Sequence, residues 1–205
     1  MCHAHAHAHA HALSHPTGAH NLVAVRAPVV LPTTLPTTKT TAIDYSLGGY
    51  TGTIPTEFGL LTKVTEVNLM QNYLTGAIPT ELGLLCQMGS SFSLNSNSLS
   101  SAILTQLGLL DRMSFDFDLS SNLLSSAIPT QLGLLVQMSS AFSLDSNSFS
   151  SAIPTQLGQL DQKKKYFLLS WNSLSSTIPT QVLRVCVCVW CRCVCCVCVV
   201  CVWCV

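Results

Sequence analysis

The sequence repeats most clearly around residues 74–85, which read LTGAIPTELGLL. Outward from this stretch, the isoleucine of the Ile-Pro-Thr block, which reads Ile-Leu-Thr in one copy, recurs at a nearly constant spacing, at Ile54, Ile78, Ile103, Ile128, Ile153 and Ile178. A constant period in this range is typical of solenoids, in which each repeat is one structural unit that packs on its neighbours. The pattern therefore predicts stacked coils of about 24–25 residues each.

Each period also contains a short alternating apolar segment. It reads Phe-x-Leu in four copies, at residues 92–94, 117–119, 142–144 and 167–169. Successive side chains of a strand point to opposite faces, so this alternation predicts a short strand with one buried face. Strands of successive coils are expected to pair in parallel, about 4.8 Å apart.

An asparagine follows three positions after the last leucine of each such segment. The leucines, this asparagine and the Ile-Pro pair together resemble the plant-type leucine-rich repeat, L-x-x-L-x-x-L-x-L-x-x-N-x-L-x-G-x-I-P-x-x-L-G-x-L, over roughly residues 43–183. The resemblance implies an α/β-type solenoid, a right-handed superhelix with short parallel strands on its concave face and irregular or 3-10 structure on its convex side. It also implies one degenerate and about five full repeats, similar to those of receptor-like ectodomains.

The recurring asparagines are expected to be buried and to stack from coil to coil. A side-chain amide there can donate to backbone carbonyls that are left unpaired where the chain turns, which removes a desolvation cost. We predict a structural ladder formed by Asn72, Asn97, Asn122, Asn147 and Asn172.

Two departures from the repeat pattern bear on its regularity. Serine stands where the pattern has glycine in four copies, at Ser101, Ser126, Ser151 and Ser176. Serine is a poor choice if this position requires a positive φ. Four copies also carry one additional residue between the apolar position of Met88 and the strand.

The concave face is where ligands of such repeats usually bind, and its outward positions can be identified in each copy. They include an acidic strip and an aromatic end, on which we base a candidate ligand-binding site of Glu66, Asn68, Asp116, Asp118, Asp145, Tyr166 and Trp171. Aromatic residues dominate binding hot spots, and an acidic face favours a basic or polar partner. The alternative interpretation is that this face is a solvated, serine-rich surface that binds no ligand.

Composition argues against most enzymatic and nucleic-acid functions. Only 9% of the 205 residues are charged, nine basic against nine acidic, and all seven histidines precede residue 21. The repeats therefore lack the commonest general base and the basic face that nucleic acids require. Cys86 belongs to no motif, and Asp116 with Asp118 is expected to be a solvated pair. We predict no catalytic residue, cofactor or metal site.

The N-terminal segment, residues 1–42, is of low complexity. A His/Ala tract is followed by a Pro/Thr linker, and both compositions favour a disordered chain. Alternating imidazoles can bind metal ions loosely, but a disordered tail is the simpler interpretation. The segment lacks the basic region followed by an apolar core that is typical of a signal peptide. Localisation is left open, although the repeat resemblance suggests the cell surface.

The C-terminal segment, residues 184–205, consists almost entirely of Cys and Val. Three interpretations remain: a membrane segment over residues 182–205, a Cys-rich tail, and a gene-model artefact. Arg192 in the middle disfavours the first, because a charge at the membrane centre costs roughly 2.5–3.5 kcal/mol. The third is favoured because repeated GT in DNA reads in frame as Val-Cys.

The sequence as a whole predicts a non-enzymatic module that binds an unidentified protein or peptide through its concave face. The alternative is the ectodomain of a membrane-anchored, receptor-like surface protein. A third possibility is a repeat fragment that does not fold.

Overall fold

The computed structural model describes residues 28–34, 39–160 and 166–183. In this part of the chain, two six-stranded parallel sheets and a row of 3-10 helices form successive coils. The predicted solenoid of leucine-rich repeats is confirmed.

The first sheet contains the predicted strands, one from each coil. They pair in sequence order with Ile43 opposite Val67, Val67 opposite Phe92 and Phe92 opposite Phe117, so each step equals one repeat. The strands are Ala42–Asp44, Glu66–Asn68, Phe92–Ser93, Phe117–Asp118, Ala141–Ser143 and Tyr166–Leu168.

A second sheet lies where the sequence predicts only irregular or 3-10 structure. Its strands are again parallel, and four of the six directly follow the asparagine of their coil. They are Val29–Val30, Tyr50–Gly52, Tyr73–Gly76, Ser98–Ala102, Leu123–Ser126 and Ser148–Phe149. The leucine positions alone do not reveal these strands, because they bury little apolar surface: in two of them, only Leu74 and Leu124 are buried.

The third side of each coil is a 3-10 helix. The helices are Thr56–Leu60, Thr80–Leu84, Thr105–Leu109, Thr130–Leu134 and Thr155–Gln159, and a short α-helix, Thr180–Leu183, takes the sixth place. Proline precedes four of the 3-10 helices with φ between −62° and −65°. Leu104 precedes the remaining one with φ of −84°, so the loss of proline leaves the coil intact.

Glycine is required on this side because neighbouring coils approach closely. A Cβ on Gly83 would lie 2.6 Å from the backbone oxygen of Gln106 in the next coil, which is well inside van der Waals contact. The backbones beside Gly108 and Gly133 approach in the same way. The Leu-Gly pair of the repeat therefore sets the spacing between 3-10 helices.

One continuous hydrophobic core runs through all the coils. The phenylalanines of the Phe-x-Leu segments stack along it, with ring centroids 5.3–5.6 Å apart and planes 13° from parallel. Phe92, Phe117 and Phe142 are completely buried. Stacking of this kind adds to the free energy gained from burial of apolar surface.

The asparagines lie at the turn between the two sheets and connect adjacent coils. The Asn122 Nδ2 group donates to the carbonyl oxygens of Leu94, in the preceding coil, and Leu119, at 3.0 and 3.3 Å. Its Oδ1 accepts from the Leu99 N–H at 3.0 Å. Asn72, Asn97, Asn147 and Asn172 make equivalent bonds. These amides thus satisfy backbone groups that neither sheet pairs.

The additional residue of the later repeats forms a small ladder at the start of the first-sheet strands. The Ser114 N–H donates to the Gly89 carbonyl at 3.2 Å, and the Ser139 N–H donates to that of Ser114 at 2.8 Å. The serine hydroxyls donate to the same carbonyls. Because the additional residue occurs in consecutive coils, each additional residue pairs with that of the next coil. The strands that follow therefore stay in register.

The serines that replace glycine do occupy a left-handed conformation. Their φ angles are +80° at Ser101, +72° at Ser126, +73° at Ser151 and +78° at Ser176, close to +77° at Gly76. Non-glycine residues adopt this region at a cost of roughly 1–2 kcal/mol. These copies therefore carry backbone strain that the glycine copies avoid.

The N-terminal segment differs in part from the prediction of disorder over residues 1–42. Val29–Val30 is the edge strand of the second sheet, opposite Tyr50 and Thr51, and Leu31 is 2% exposed. This short apolar run covers the first coil, a role that the Pro/Thr composition of its surroundings conceals. The His/Ala tract, residues 35–38 and the segment 184–205 lie outside the described residues. No helix within the described ranges is long and apolar enough to cross a membrane.

Candidate functional site

The outward face of the first sheet carries the candidate site. Its strands alternate, so Val67, Phe92, Phe117 and Phe142 point into the core while the flanking residues point outward. Strand pairing places Glu66, Ser91, Asp116, Ala141 and Tyr166 in one outward row. Asp44, Asn68, Ser93, Asp118, Ser143 and Leu168 form the adjacent row. Neighbours on this surface are therefore residues of successive strands, one repeat apart, and not residues that are contiguous in the sequence.

Three of the four predicted acidic residues form one group. Asp118 ends the strand Phe117–Asp118 and Asp116 directly precedes it, so the two are two residues apart, which is about 7 Å for an extended chain. Asp145 follows the neighbouring strand, two residues beyond Ser143, the partner of Asp118. We call Asp116, Asp118 and Asp145 the acidic group. All three are half-buried.

Hydrogen bonds hold the carboxylates of the acidic group in place. Asp116 Oδ1 accepts from the Ala141 N–H at 3.0 Å, and Asp118 Oδ1 accepts from the Ser120 N–H at 2.9 Å. Asp145 accepts from the hydroxyls of Ser143 and Ser146. Within the described ranges, no residue donates to the second oxygen of Asp116. That oxygen is therefore available as an acceptor for a partner.

Asp118 is electrostatically distinct. Its burial raises the pKa of this carboxyl above its ordinary value, and the charges of Asp145 and Asp116 raise the pKa further. Hydrogen bonds from Ser120 oppose the shift without cancelling it. A cation placed against the acidic group would favour the charged form of Asp118.

The other two polar candidates lie apart from the acidic group. Glu66 is in the same row as Asp116, but the strand of Ser91 separates them, which is roughly 10 Å for two strand spacings. Asn68 lies beside Asp44, and its Oδ1 receives the Met70 N–H at 3.4 Å. The acidic strip is thus a group of three carboxylates with Glu66 at a distance.

Tyr166 and Trp171 lie on the last described coil, and each is 55% exposed. Tyr166 is at the start of its strand, beside Ala141, whereas Trp171 is in the turn that follows, with φ of +54°. Equivalent turn positions such as Ser121 and Ser146 have the same conformation, so this angle belongs to the repeat rather than to a strained tryptophan. The two aromatic residues therefore lie at the start of the strand Tyr166–Leu168 and beyond its end.

Phe115 is a third exposed aromatic side chain on this face. It is 55% exposed and directly precedes Asp116. The sequence prediction places the aromatic part of the site only at the C-terminal end and so misses this ring. The signal for Phe115 is its repeat position, which is that of Thr65 and Ser90, directly before the first residue of the outward row.

Metal and nucleophile chemistry receives no support from the described residues. In the ranges that the structure describes, no group of three or more His, Cys, Asp or Glu side chains could hold a metal ion. Cys86 is exposed, and its sulfur lies 3.8 Å from the side-chain nitrogen of Gln87. The arrangement is suited to recognition through hydrogen bonds, charge and aromatic contact.

Comparison with solved structures yields plant receptor ectodomains built from leucine-rich repeats (LRRs). The LRR ectodomain of the membrane receptor kinase GASSHO1/SCHENGEN3 from Arabidopsis thaliana, in complex with CASPARIAN STRIP INTEGRITY FACTOR 2, has 34% identity and a TM-score of 0.62. The LRR ectodomain of the Arabidopsis receptor kinase HAESA, in complex with an N-terminally extended IDA peptide hormone, has 28% identity and a TM-score of 0.61. The LRR ectodomain of the Arabidopsis receptor kinase SOBIR1 has 28% identity and a TM-score of 0.56. No protein-family model and no curated protein matches the chain.

The similarity to GASSHO1/SCHENGEN3 covers 66% of this chain and 16% of that one, and the similarity to HAESA covers 67% and 23%. For SOBIR1 the two shares are 63% and 69%. The chain thus spans a small part of the length of the first two. It is a leucine-rich-repeat solenoid that resembles plant receptor ectodomains, as the sequence predicts.

Proposed function

We propose that the chain is a non-enzymatic module that binds a protein or peptide on the outward face of the first sheet, the concave side of the solenoid. The observation that carries the proposal is the combination on this face of the acidic group with three half-exposed aromatic rings. Large aromatic side chains dominate the energetics of most binding sites. The solved complexes of GASSHO1/SCHENGEN3 with CASPARIAN STRIP INTEGRITY FACTOR 2 and of HAESA with an IDA peptide hormone support ligand binding by a similar fold.

The acidic group favours a partner with basic side chains. Asp116 presents an oxygen that can accept from a lysine or arginine, and Tyr166 lies roughly 10 Å from Asp116 along the same row. A basic side chain flanked by an apolar one would therefore contact both features. Charge pairing of this kind accelerates association and is weakened by salt.

The test is selection of peptides from a random displayed library by the full chain, followed by measurement of their affinities. We expect the double variant Tyr166→Ala/Trp171→Ala to bind the selected peptides about tenfold more weakly or worse, because it removes both rings. Tyr73→Ala is the matched control, since Tyr73 is 68% exposed but lies on the second sheet. Unchanged affinity in the double variant, or an equal loss in the control, would refute this site.

Charge supplies an independent arm of the test. Asp116→Lys/Asp145→Lys should shift selection away from peptides rich in lysine and arginine, whereas Glu66→Lys, on a separate strand, should shift it less. Identical selected sequences from all three proteins would contradict the assigned partner chemistry.

A second candidate is the ectodomain of a receptor-like protein at the cell surface. It is favoured by the similarity to ectodomains of plant receptor kinases. Fractionation of cells that express the full chain tests it, because a membrane-anchored protein stays in the carbonate-washed membrane pellet. Recovery in the soluble fraction would exclude this anchored form and leave the binding module untouched.

A further inference from the structure

A row of exposed leucines runs along the 3-10 side of the solenoid. In four successive coils, the last residue of the 3-10 helix is a leucine that is between 51% and 65% exposed. Each leucine directly follows the glycine at which the backbones of neighbouring coils approach closely, so successive leucines lie side by side. We call these residues the leucine row: Leu60, Leu84, Leu109 and Leu134.

The coil itself does not require leucine at this position. Gln159 ends the fifth 3-10 helix in its place, and the Leu157 N–H still donates to the Pro154 carbonyl at 3.2 Å, as that of Leu132 does to Pro129. Single exposed leucines are ordinary, whereas a contiguous apolar patch of a few hundred Å² marks an interaction site. The leucine row is therefore suited to a contact outside its own coils.

Charged residues of opposite sign flank the two edges of the leucine row. Glu57 and Glu81 stand three positions before a leucine of the row. Side chains at i and i+3 of a 3-10 helix eclipse, so both carboxylates lie on the same side of the helix as the leucines. Lys63 and Arg112 stand three positions after a leucine, on the other edge. Arg112 donates to the side-chain oxygen of Gln87, the equivalent residue of the preceding coil, at 2.9 Å, so this edge is also a continuous row.

We propose that the leucine row is the interface of a homodimer, in which two copies of this chain pack row against row about a two-fold axis parallel to the row. Rotation about this axis exchanges the two edges, so Glu57 of each copy faces Lys63 of the second copy, and each leucine meets the same leucine. A two-fold axis across the row would instead place Glu57 opposite Gln131 and Lys63 opposite Gln137, without a charge pair. Charge complementarity therefore selects the parallel arrangement.

The size of the row fits a reversible dimer. The four leucines, together with Val136, which is 44% exposed, present roughly 400–500 Å² of surface per copy. Stable complexes bury about 800 Å² per partner, so the threonine and glutamine side chains along the helices must supply the rest. We therefore expect a dissociation constant in the micromolar range.

The overall charge of the chain also permits self-association. The formal net charge is zero, so two copies do not repel each other at long range. Asp111, the remaining charged residue beside the row in the described repeats, is next to Arg112 and leaves the charge of that edge positive.

The dimer leaves the candidate site free, because the leucine row lies on the 3-10 side and not on the first sheet. Two copies of the outward face would thus be available to a partner. The proposal does not rest on the proposed function, and its test needs no ligand.

Sedimentation equilibrium of the full chain, kept reduced so that no disulfide links two copies, tests the dimer. We expect Leu84→Gln/Leu109→Gln to raise the dissociation constant at least about thirtyfold, since Gln159 shows that glutamine is compatible with this helix position. The matched control is Tyr73→Gln/Leu123→Gln, which removes two apolar side chains of similar exposure from the second sheet and should change the constant less than about threefold.

Three results would overturn the dimer. The first is a wild-type monomer at every concentration up to about 0.5 mM. The second is self-association that Leu84→Gln/Leu109→Gln leaves intact, and the third is an equal loss in the control.

Exchange of charges tests the direction of the axis. Glu57→Lys and Lys63→Glu should each raise the dissociation constant about five- to tenfold, because the symmetry places two like-charged pairs across the interface. The double variant Glu57→Lys/Lys63→Glu should return it to within about threefold of the wild type. Glu66→Lys, on the first sheet, makes the same change of net charge and should have no effect. Single variants without effect, or a double variant weaker than both, would contradict the parallel arrangement.

Discussion

The inner side and the outward face of each coil differ in which residue types their positions can hold. Inside, phenylalanines stack at 5.3–5.6 Å, and Asn122 bonds to its own coil and to the preceding one. On the 3-10 side, Gly83 has no room for a methyl group. On the outward face, equivalent strand positions hold residues as different as Ser93 and Asp118. Positions that pack against a neighbouring coil keep the same residue type in each repeat. The positions that vary lie on the outward face, where a partner can contact them.

The largest expected effect is at the asparagine turn. Asn122→Ala removes the donor to the Leu94 and Leu119 carbonyls and the acceptor of the Leu99 N–H, and these groups stay buried. Because each unsatisfied buried group costs about 1–3 kcal/mol, we expect a loss of roughly 4 kcal/mol in the free energy of unfolding. Urea denaturation measures it. Asn95→Ala, on the outward face of the preceding coil, should cost less than about 0.5 kcal/mol. Similar losses for both would contradict the contrast between the two sides.

Next in size is the close contact on the 3-10 side. Gly108→Ala places a methyl group against the backbone of Gln131, so the coils must separate, which should cost about 2–3 kcal/mol. Gly89→Ala is the control, because a Cβ there lies 3.6 Å from its nearest neighbour, the Gln87 oxygen, at ordinary contact distance. Thermal unfolding of both variants decides the point. A stable Gly108→Ala protein would show that the coil spacing is adjustable.

A smaller effect of opposite sign is expected at the strained serines. Ser126→Gly relieves a left-handed serine at a saving of roughly 1–2 kcal/mol but increases the entropy of the unfolded chain, so the net gain should be about 0.5–1 kcal/mol. Ser125→Gly, in the same strand without a positive φ, should instead lower the stability by about 0.5–1 kcal/mol. Melting temperatures that move in the same direction for both variants would argue against the strain.

The smallest effect concerns Asp118 and depends on pH. Because burial raises the pKa of Asp118 in the folded state, ionisation destabilises that state, and this cost vanishes as the pH falls through the folded and then the unfolded pKa. We expect Asp118→Asn to raise stability by less than about 1 kcal/mol at pH 7 and the gain to vanish in acid. Exposed Asp44, which accepts a similar bond from Ser46, provides the control Asp44→Asn, expected to stay within about 0.5 kcal/mol. A gain for Asp118→Asn that persists unchanged in acid would contradict the electrostatic cause.

Much of the fold was predictable because its information lies within one period. The inward phase of Phe92 and Leu94, the turn position of Asn97 and the question of a positive φ at Ser101 can each be inferred from a single copy. The second sheet was not predicted, since strands such as Leu123–Ser126 bury only one side chain and resemble a loop in sequence. The covering strand Val29–Val30 was missed for a similar reason, because it is two residues long beside a Pro/Thr linker.

The candidate site was predictable only in part. Sequence phase identifies which residues point outward, including Asp118 and Tyr166, but it does not say which side chains become neighbours. That depends on the pairing of strands one repeat apart, which brings Asp145 to Asp118 and leaves a strand between Glu66 and Asp116. The same pairing sets the burial that raises the pKa of Asp118.

By itself, the amino-acid sequence determined the repeating coil, its buried leucines and phenylalanines and the class of solenoid. The buried positions follow from apolar periodicity within one repeat, because hydrophobic burial separates inside from outside. The class of solenoid follows from the constant spacing of the copies. Only the tertiary structure decided the second sheet, the glycine contacts between coils, the grouping of the carboxylates and the row of exposed leucines. Each of these is a relation between coils, and so depends on how neighbouring backbones stack rather than on the residues of any one copy.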